Sequence, residues 1–331
     1  MKELYLVTGA AGHLGSALVD QLLKAGKPVR ALVLPKEKDL LPKGVDVFVG
    51  DVTQKESLAP FFANPDQKEL IVLHCAGIVS IASKYSQKVY DVNVGGTKNV
   101  ADLCREHGVK KLIYVSSVHA IPELPRGEIM TEIDTFDPEA VVGLYAKTKA
   151  EATAYVLSAA KDGLPVSVVH PSGISGPFDC GRGHLTTLVL DYCKHRLTSG
   201  IQGGYDFVDV RDVAQGILAC CTQGQNGQCY ILSNRYYTVR EVLTLLHEIT
   251  GKKEIKTYLP LWFVKGAAPL AELYYKIRRQ PPLFTAYSIY TLNSNAVFSH
   301  EKATKELGFA PRDLRETLED TVDWLKQNHQ L

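Results

Sequence analysis

Apolar residues over the first 120 positions fall into short runs, separated by stretches in which they recur every three or four residues. Residues 4–8 read as a strand, and residues 14–25 as a helix with Leu14, Leu18, Leu22 and Leu23 on one face. Further strands are expected at 29–34, 45–49, 71–75 and 112–115. Several of these runs are almost unbroken apolar sequence, as strands covered by helices on both faces require. Strand and helix alternating in this way predict an α/β fold around an open, doubly wound parallel sheet.

The second half is less regular. Strands are expected at 166–170 and around 206–210, and helices near 145–160, 213–221, 239–251 and 314–327. Segments 175–205 and 255–300 lack sheet-like patterning, and they carry Pro177, Pro260, Pro269, Pro281 and Pro282. We therefore expect residues 1–174 to form mainly the sheet domain, with 206–232 returning to it. Segments 175–205 and 233–331 are expected to form mainly a smaller, interleaved C-terminal lobe that binds substrate. No internal repeat or low-complexity tract interrupts the chain.

Composition narrows the function classes. The chain has 331 residues, 45% hydrophobic and 22% charged, with a formal net charge of +1 and no charge block, so nothing predicts nucleic acid as a partner. Met1-Lys2-Glu3-Leu4-Tyr5 leads straight into an apolar strand, without the features of a secretory leader. No run approaches the roughly 18 apolar residues of a membrane span. Seven scattered cysteines with no Cys-x-x-Cys pair read as reduced thiols in a cytoplasmic protein. Cys180, His184, Cys193 and His195 match no structural zinc spacing, so no metal is expected.

Thr8-Gly9-Ala10-Ala11-Gly12-His13-Leu14-Gly15 stands where the first strand meets the first helix. Glycines there permit a tight turn, close approach of backbone to a pyrophosphate, and packing of helix on strand. Free N–H groups and the positive helix end then meet the phosphate charge. The bland alternative is a glycine-rich turn; the strand-to-helix position argues against it. Tyr145 and Lys149 lie four apart in a helical stretch, hence on one face. A free tyrosine has a pKa of about 10, and a nearby ammonium would lower it into a useful range for proton transfer. On its own this spacing is common on solvated helices. Ser116-Ser117 ends an apolar strand, where a hydroxyl faces the ligand crevice of an open sheet.

Together these motifs resemble those of the extended short-chain dehydrogenase/reductases, of the NAD-dependent epimerase/dehydratase type. The resemblance extends through Gly50-Asp51-Val52, His74-Cys75-Ala76-Gly77, Asp91-Val92-Asn93-Val94-Gly95-Gly96-Thr97, Pro171-Ser172-Gly173-Ile174 and Phe207-Val208-Asp209-Val210-Arg211-Asp212. The nearest branch is that of the 3β-hydroxysteroid dehydrogenases and dihydroflavonol reductases. It implies a Rossmann sheet and an enzyme that moves hydride between NAD or NADP and a secondary alcohol or ketone. By this resemblance Tyr145 exchanges a proton with the substrate oxygen, Ser117 hydrogen-bonds that oxygen, and Lys149 holds the nicotinamide ribose. The cofactor would lie on Gly9, Ala11, Gly12, His13, Leu14, Gly15, Asp51, Val52, Ala76, Gly77, Tyr145, Lys149, Pro171 and Ile174. Asn93 is implied as a structural support. The helices around 85–107 and 145–160 are implied as the faces of a possible homodimer.

Three departures refine this picture. Val33 and Leu34 fill the positions at the second strand end where an acid would bind the ribose of NAD. The missing acid, with Lys36 and Lys38 nearby, leans toward NADP; the plain alternative is a solvated lysine loop. His170 replaces a common arginine and reads as a core histidine. The stretch 259–290 is apolar and aromatic, with Trp262, Phe263, Tyr274 and Tyr275, and no arginine cluster for a second pyrophosphate is evident. A hydrophobic, steroid- or flavonoid-like small molecule is therefore expected, and a lid over an apolar pocket is favoured over membrane docking. The competing functions are an epimerase or dehydratase acting on a sugar with tightly held NAD, and a non-catalytic sensor of NAD(P).

Overall fold

The structure is a computed structural model, and it describes residues 2–80, 85–181, 183–263 and 286–331, with side chains from 290 onward in the last of these. Seven strands form the main sheet: β1 (Glu3–Thr8), β2 (Val29–Val33), β3 (Asp46–Val49), β4 (Glu69–His74), β5 (Lys111–Val115), β6 (Val166–Pro171) and, later in the chain, Cys229–Leu232. The order across the sheet is Cys229–Leu232, β6, β5, β4, β1, β2, β3, with every pair parallel. This is the doubly wound Rossmann order, in which the chain reverses direction between β1 and β4 and leaves a crevice at their C-terminal ends.

The pleat explains the near-continuous apolar runs. Leu4, Leu6, Leu70, Val72, Leu112, Tyr114, Val166 and Val168 enter one core beneath the helices Thr97–Glu106 and Leu144–Lys161. Their neighbours Tyr5, Val7, Ile71, Leu73, Ile113, Val115 and Val169 enter a second core beneath His13–Lys24 and Val210–Gln223. Successive residues point to opposite faces, so a strand sandwiched between helix layers must be apolar at every position.

A third core, around Val189, Leu243, Leu246, Leu318 and Val322, belongs to the helices His184–Cys193, Val239–Thr250 and Leu314–Gln327. The strand expected near 206–210 runs from Gly204 to Asp209, and it does not join the main sheet. It pairs with Gly173–Ser175 and Tyr236–Thr238 in a separate three-stranded sheet. Its partner Gly173–Ser175 follows directly on β6, so the chain passes from one sheet to the other at Ser172. Segment 175–205, read as irregular, contains the helix His184–Cys193 and the short strand Gly200–Ile201. Most of the aromatic stretch 259–290 lies outside the described residues; of it, Trp262 and Phe263 are exposed.

Candidate active site

The glycine loop closes on the ends of β1 and β4. Gly9 has φ +64°, and a Cβ there would fall 2.8 Å from the Cα of Ala76. At Gly15 a Cβ would lie 2.1 Å from the carbonyl oxygen of Gly9, so any side chain would force the first helix off the loop. That helix begins at His13 after an N-cap glycine with no side-chain cap. Its opening N–H groups have no intrahelical acceptor and carry the positive end of the helix dipole. Gly12 is exposed, Ala11 and His13 are half-buried, and Leu14 is buried against the second core. The His13 ring bonds the carbonyl of Pro177 through Nε2 at 2.9 Å, tying the loop to the chain beyond the small-sheet strand. The bare N–H groups and the side-chain-free approach fit the pyrophosphate of a dinucleotide, and Gly9, Ala11, Gly12, His13, Leu14 and Gly15 would hold it.

Asp51 and Val52 follow β3. Asp51 Oδ1 accepts the backbone N–H and hydroxyl of Thr53, both at 2.9 Å, and Val52 is buried with its carbonyl held by Asn99. Ala76 and Gly77 follow β4, and the position of a Gly77 Cβ lies 3.4 Å from Lys149 Nζ. Pro171 closes β6 and Ile174 stands half-buried in the next strand. Leu34 follows β2 exposed, its N–H bonded to Glu37 Oε2 at 2.9 Å, while Lys36 and Lys38 remain exposed.

A buried polar network fixes this floor. His74 lies between Thr8 Oγ1, 2.7 Å from Nδ1, and Thr97 Oγ1, 3.1 Å from Nε2. The Thr97 hydroxyl donates to the Asn93 carbonyl, so it receives its bond from His74 Nε2–H. Burial pulls the His74 pKa down to about 3, keeping the ring neutral. Asn93 sits in a π-helical stretch, Asp91–Gly96. Its side chain accepts from Ile78 N at 2.8 Å and donates to the Ile78 carbonyl and Thr148 hydroxyl, both at 3.1 Å. The loop after β4 is thereby joined to the helix that carries Tyr145.

Ser117, Tyr145 and Lys149 come together at the end of β5. Tyr145, Lys149 and Thr153 lie along one helix face, as the four-residue spacing predicts, and all three are buried. Ser116 and Thr153 share a hydrogen bond at 2.7 Å, which leaves Ser117 as the serine at the crevice. Its Oγ accepts the backbone N–H of His119 at 3.2 Å, and it acts on the Tyr145 hydroxyl by lowering that group's pKa. Its carbonyl accepts from His170 Nδ1 at 3.0 Å. His170 is a core histidine: it stacks on Phe136, and burial holds its pKa at about 4.

The electrostatics differ from the expected depression of the tyrosine pKa by lysine. Burial pushes Tyr145 up to about 12, and Ser117 is the group that draws it down. Lys149 donates instead to the Val115 carbonyl at 2.8 Å, with its ammonium 5.1 Å from the Tyr114 ring centroid. Burial lowers its pKa to about 8, so it remains charged at neutral pH.

Beside this crevice lies a cavity of about 460 Å³ whose wall includes Val118, Ile121, Leu124, Met130, Val141 and Phe298. Among its polar groups, Glu123 already accepts from the Tyr290 hydroxyl and from Asn295 N, while His119 Nε2 pairs with Tyr205. Among the described residues no lysine or arginine lines it. His119 and Tyr205 were not singled out from the sequence. His119 could have been, since it stands two residues past Ser117 on the same strand-end turn; Tyr205 arrives through β-sheet pairing and leaves no local signal.

The fold and the crevice define a dinucleotide-binding α/β protein with a serine, a tyrosine and a lysine at the strand ends. The chain belongs to the NAD dependent epimerase/dehydratase family, whose model matches residues 5–233, and so to the extended short-chain dehydrogenase/reductases. It is similar to sterol demethylase protein B of Methylococcus capsulatus, 31% identical over 97% of this chain and 98% of that protein. It is also similar to a putative dihydroflavonol 4-reductase of Synechocystis, 28% identical over 99% of this chain and 96% of that one. Among solved structures, that of gox2253 superposes with a TM-score of 0.85 at 28% identity, covering 99% of each chain. Among the described residues, no helix is long and apolar enough to cross a membrane, and no three His, Cys, Asp or Glu side chains are placed to hold a metal ion.

Proposed function

We propose that this protein interconverts a secondary alcohol and a ketone on an uncharged hydrophobic substrate, with Tyr145 as the acid/base group. The observation that carries this reading is the meeting of buried Ser117, Tyr145 and Lys149 at the end of β5, with Ser117 the side chain that draws the Tyr145 pKa down against burial. A nicotinamide dinucleotide, when bound, supplies the hydride donor or acceptor. Ser117 uses its hydroxyl to steady the substrate oxygen, and Tyr145 gives that oxygen a proton or takes one from it. Lys149, anchored on the Val115 carbonyl, keeps a positive charge in the crevice and would hold the ribose of the nicotinamide. With its pKa near 8, the ammonium is present at neutral pH.

The cavity supports the substrate class. Apolar side chains make up more than half of its wall, and its carboxylate is engaged by protein donors. A nucleotide-sugar would bring a diphosphate, and phosphate recognition ordinarily relies on cations that the described wall lacks. The relatives named for sterol demethylation and dihydroflavonol reduction favour a ring compound in the same way. Lys36 and Lys38, exposed beside the β2 end with no acid at Val33 or Leu34, favour NADP over NAD.

The test is Tyr145→Phe against a panel of steroid and aromatic ketones, followed by nicotinamide absorbance, with both cofactors titrated into each protein. We expect turnover to drop by at least about 10³-fold, at the upper part of the usual range for acid/base removal, while the variant still binds cofactor. Full turnover in the variant sinks the assignment, and equal affinity for the two cofactors sinks the lean to NADP.

A further inference from the structure

His119 and Tyr205 belong to the cavity wall, yet their contacts run to the catalytic side chains. The two rings lie 5.6 Å apart and 17° from parallel, with His119 Nε2 2.9 Å from the Tyr205 hydroxyl. The same imidazole meets Tyr145 edge-on, at 6.0 Å and 74°. Its backbone N–H bonds Ser117 Oγ. One residue therefore touches both hydroxyl-bearing groups of the crevice, and its ring is held by a tyrosine from the other sheet.

The torsion that turns a histidine ring is soft and roughly two-fold. Packing against Tyr145 alone leaves that choice open, whereas a hydrogen bond at Nε2 selects one orientation. Burial holds the His119 pKa at about 4, so the bond to Tyr205 is one between neutral partners. Tyr205 is itself closely seated. A Cβ on Gly173 would come within 3.0 Å of its Cδ1, and Phe207 packs edge-on at 6.0 Å. Gly173 opens the strand that leaves the main sheet, two residues after Pro171.

We propose that Tyr205 orients the acid/base tyrosine from across the boundary between the two sheets, acting through His119, so that both are positioning residues for Tyr145. This rests on the reading of Tyr145 given above. A substrate in the cavity lies against the same pair, which links the fit of its ring system to the aim of the tyrosine. The effect falls on the chemical step and leaves the cofactor site, built from the glycine loop, untouched.

Tyr205→Phe keeps the stacked ring and removes the hydroxyl. It is expected to lower kcat about tenfold, the upper end for one neutral hydrogen bond, with KM and cofactor Kd within about twofold. His119→Phe should do the same, and the double variant should be no worse than either single one. His119→Gln, which returns an amide near the position of Nε2, should recover to within about threefold of the parent protein. A Tyr205→Phe enzyme with unchanged kcat overturns the proposal. So does one in which kcat, cofactor affinity and melting temperature fall together, since that is a structural role.

A second readout needs no turnover. With 3-fluorotyrosine at position 145 in the full chain, the fluorine resonance should shift or broaden in the Tyr205→Phe background, and an unmoved resonance overturns the link. Retained turnover in Tyr145→Phe would instead overturn the acid/base reading, and the fluorine result would still judge the contact between Tyr205 and Tyr145 by itself.

Discussion

The glycine loop and the tyrosine crevice lie at neighbouring strand ends, yet they are made of opposite materials. The loop is built by leaving side chains out: Gly9 and Gly15 bring backbone against backbone, and a phosphate there would meet N–H groups alone. The crevice works by burying side chains that prefer water. Burial raises Tyr145 to about 12 and lowers Lys149 to about 8, so the two values are driven apart and each group is held in its neutral form more strongly than in water. A loop of this kind is broken by adding an atom, and a crevice of this kind by changing a charge or a hydroxyl.

The largest effect that separates the two regions is expected from Gly15→Val. Its Cβ would collide with the Gly9 carbonyl, a backbone atom that cannot rotate away, and overpacking of this kind typically costs about 1–3 kcal/mol or more. Cofactor affinity should fall by roughly 100-fold. The Ser117 to Tyr145 contact, some 100 residues further along the chain, should survive. Calorimetric titration of the cofactor, with near-ultraviolet circular dichroism as the check on folding, tests this. Unchanged affinity would mean that the loop is a turn and nothing more.

Lys149→Arg probes the other region. In the parent protein the ammonium loses its proton as pH rises through about 8, so ketone reduction should decline above that value. Arginine keeps its charge, and its fork is poorly matched to the single Val115 carbonyl that Lys149 engages. Turnover at pH 7 should drop about tenfold through misplacement of the charge. The alkaline limb should move up by at least about one unit. A pH–rate profile with the limb still near 8 would assign it to another group.

Sequence legibility follows the same division. Glycine spacing and the Tyr145-to-Lys149 interval are local, so the tight glycine loop and the helix face that carries both residues could be read directly. Alternation of the two cores was equally plain in the unbroken apolar strands. The strand Gly204–Asp209 was visible as a strand but not as a member of a second sheet, because its partner is set by where the chain leaves β6. Ser117 was separable from Ser116 by resemblance alone; the physical reason, the Ser116 bond to Thr153, spans 37 residues. His74 has meaning through a partner 66 residues away, and His119 and Tyr205 through each other across 86 residues, and no local pattern encodes such contacts.

Asp206 shows that a shifted pKa by itself does not mark chemistry. It is fully buried where the sheets meet, with Oδ1 accepting from the Ser172 hydroxyl at 2.5 Å and Asn234 N at 2.9 Å. Among the described residues Oδ2 has no partner, and burial raises the pKa to about 6. Between about pH 4 and 6 the unfolded chain gives up this proton while the folded protein keeps it. Stability from Asp206 is thus full at acid pH and lost as pH rises through 6, by a difference on the order of 3 kcal/mol at neutrality. Asp206→Asn retains a carbonyl oxygen for Ser172 and Asn234 and cannot ionise. Its melting temperature, relative to the parent protein, should climb by a few degrees between pH 4 and 7. The rate of the ketone reaction should barely change, since no cavity or crevice contact involves this carboxyl. A melting difference that stays flat with pH would show that the carboxylate is already stabilised where it lies, and a matching loss of turnover would move Asp206 from the seam into the site.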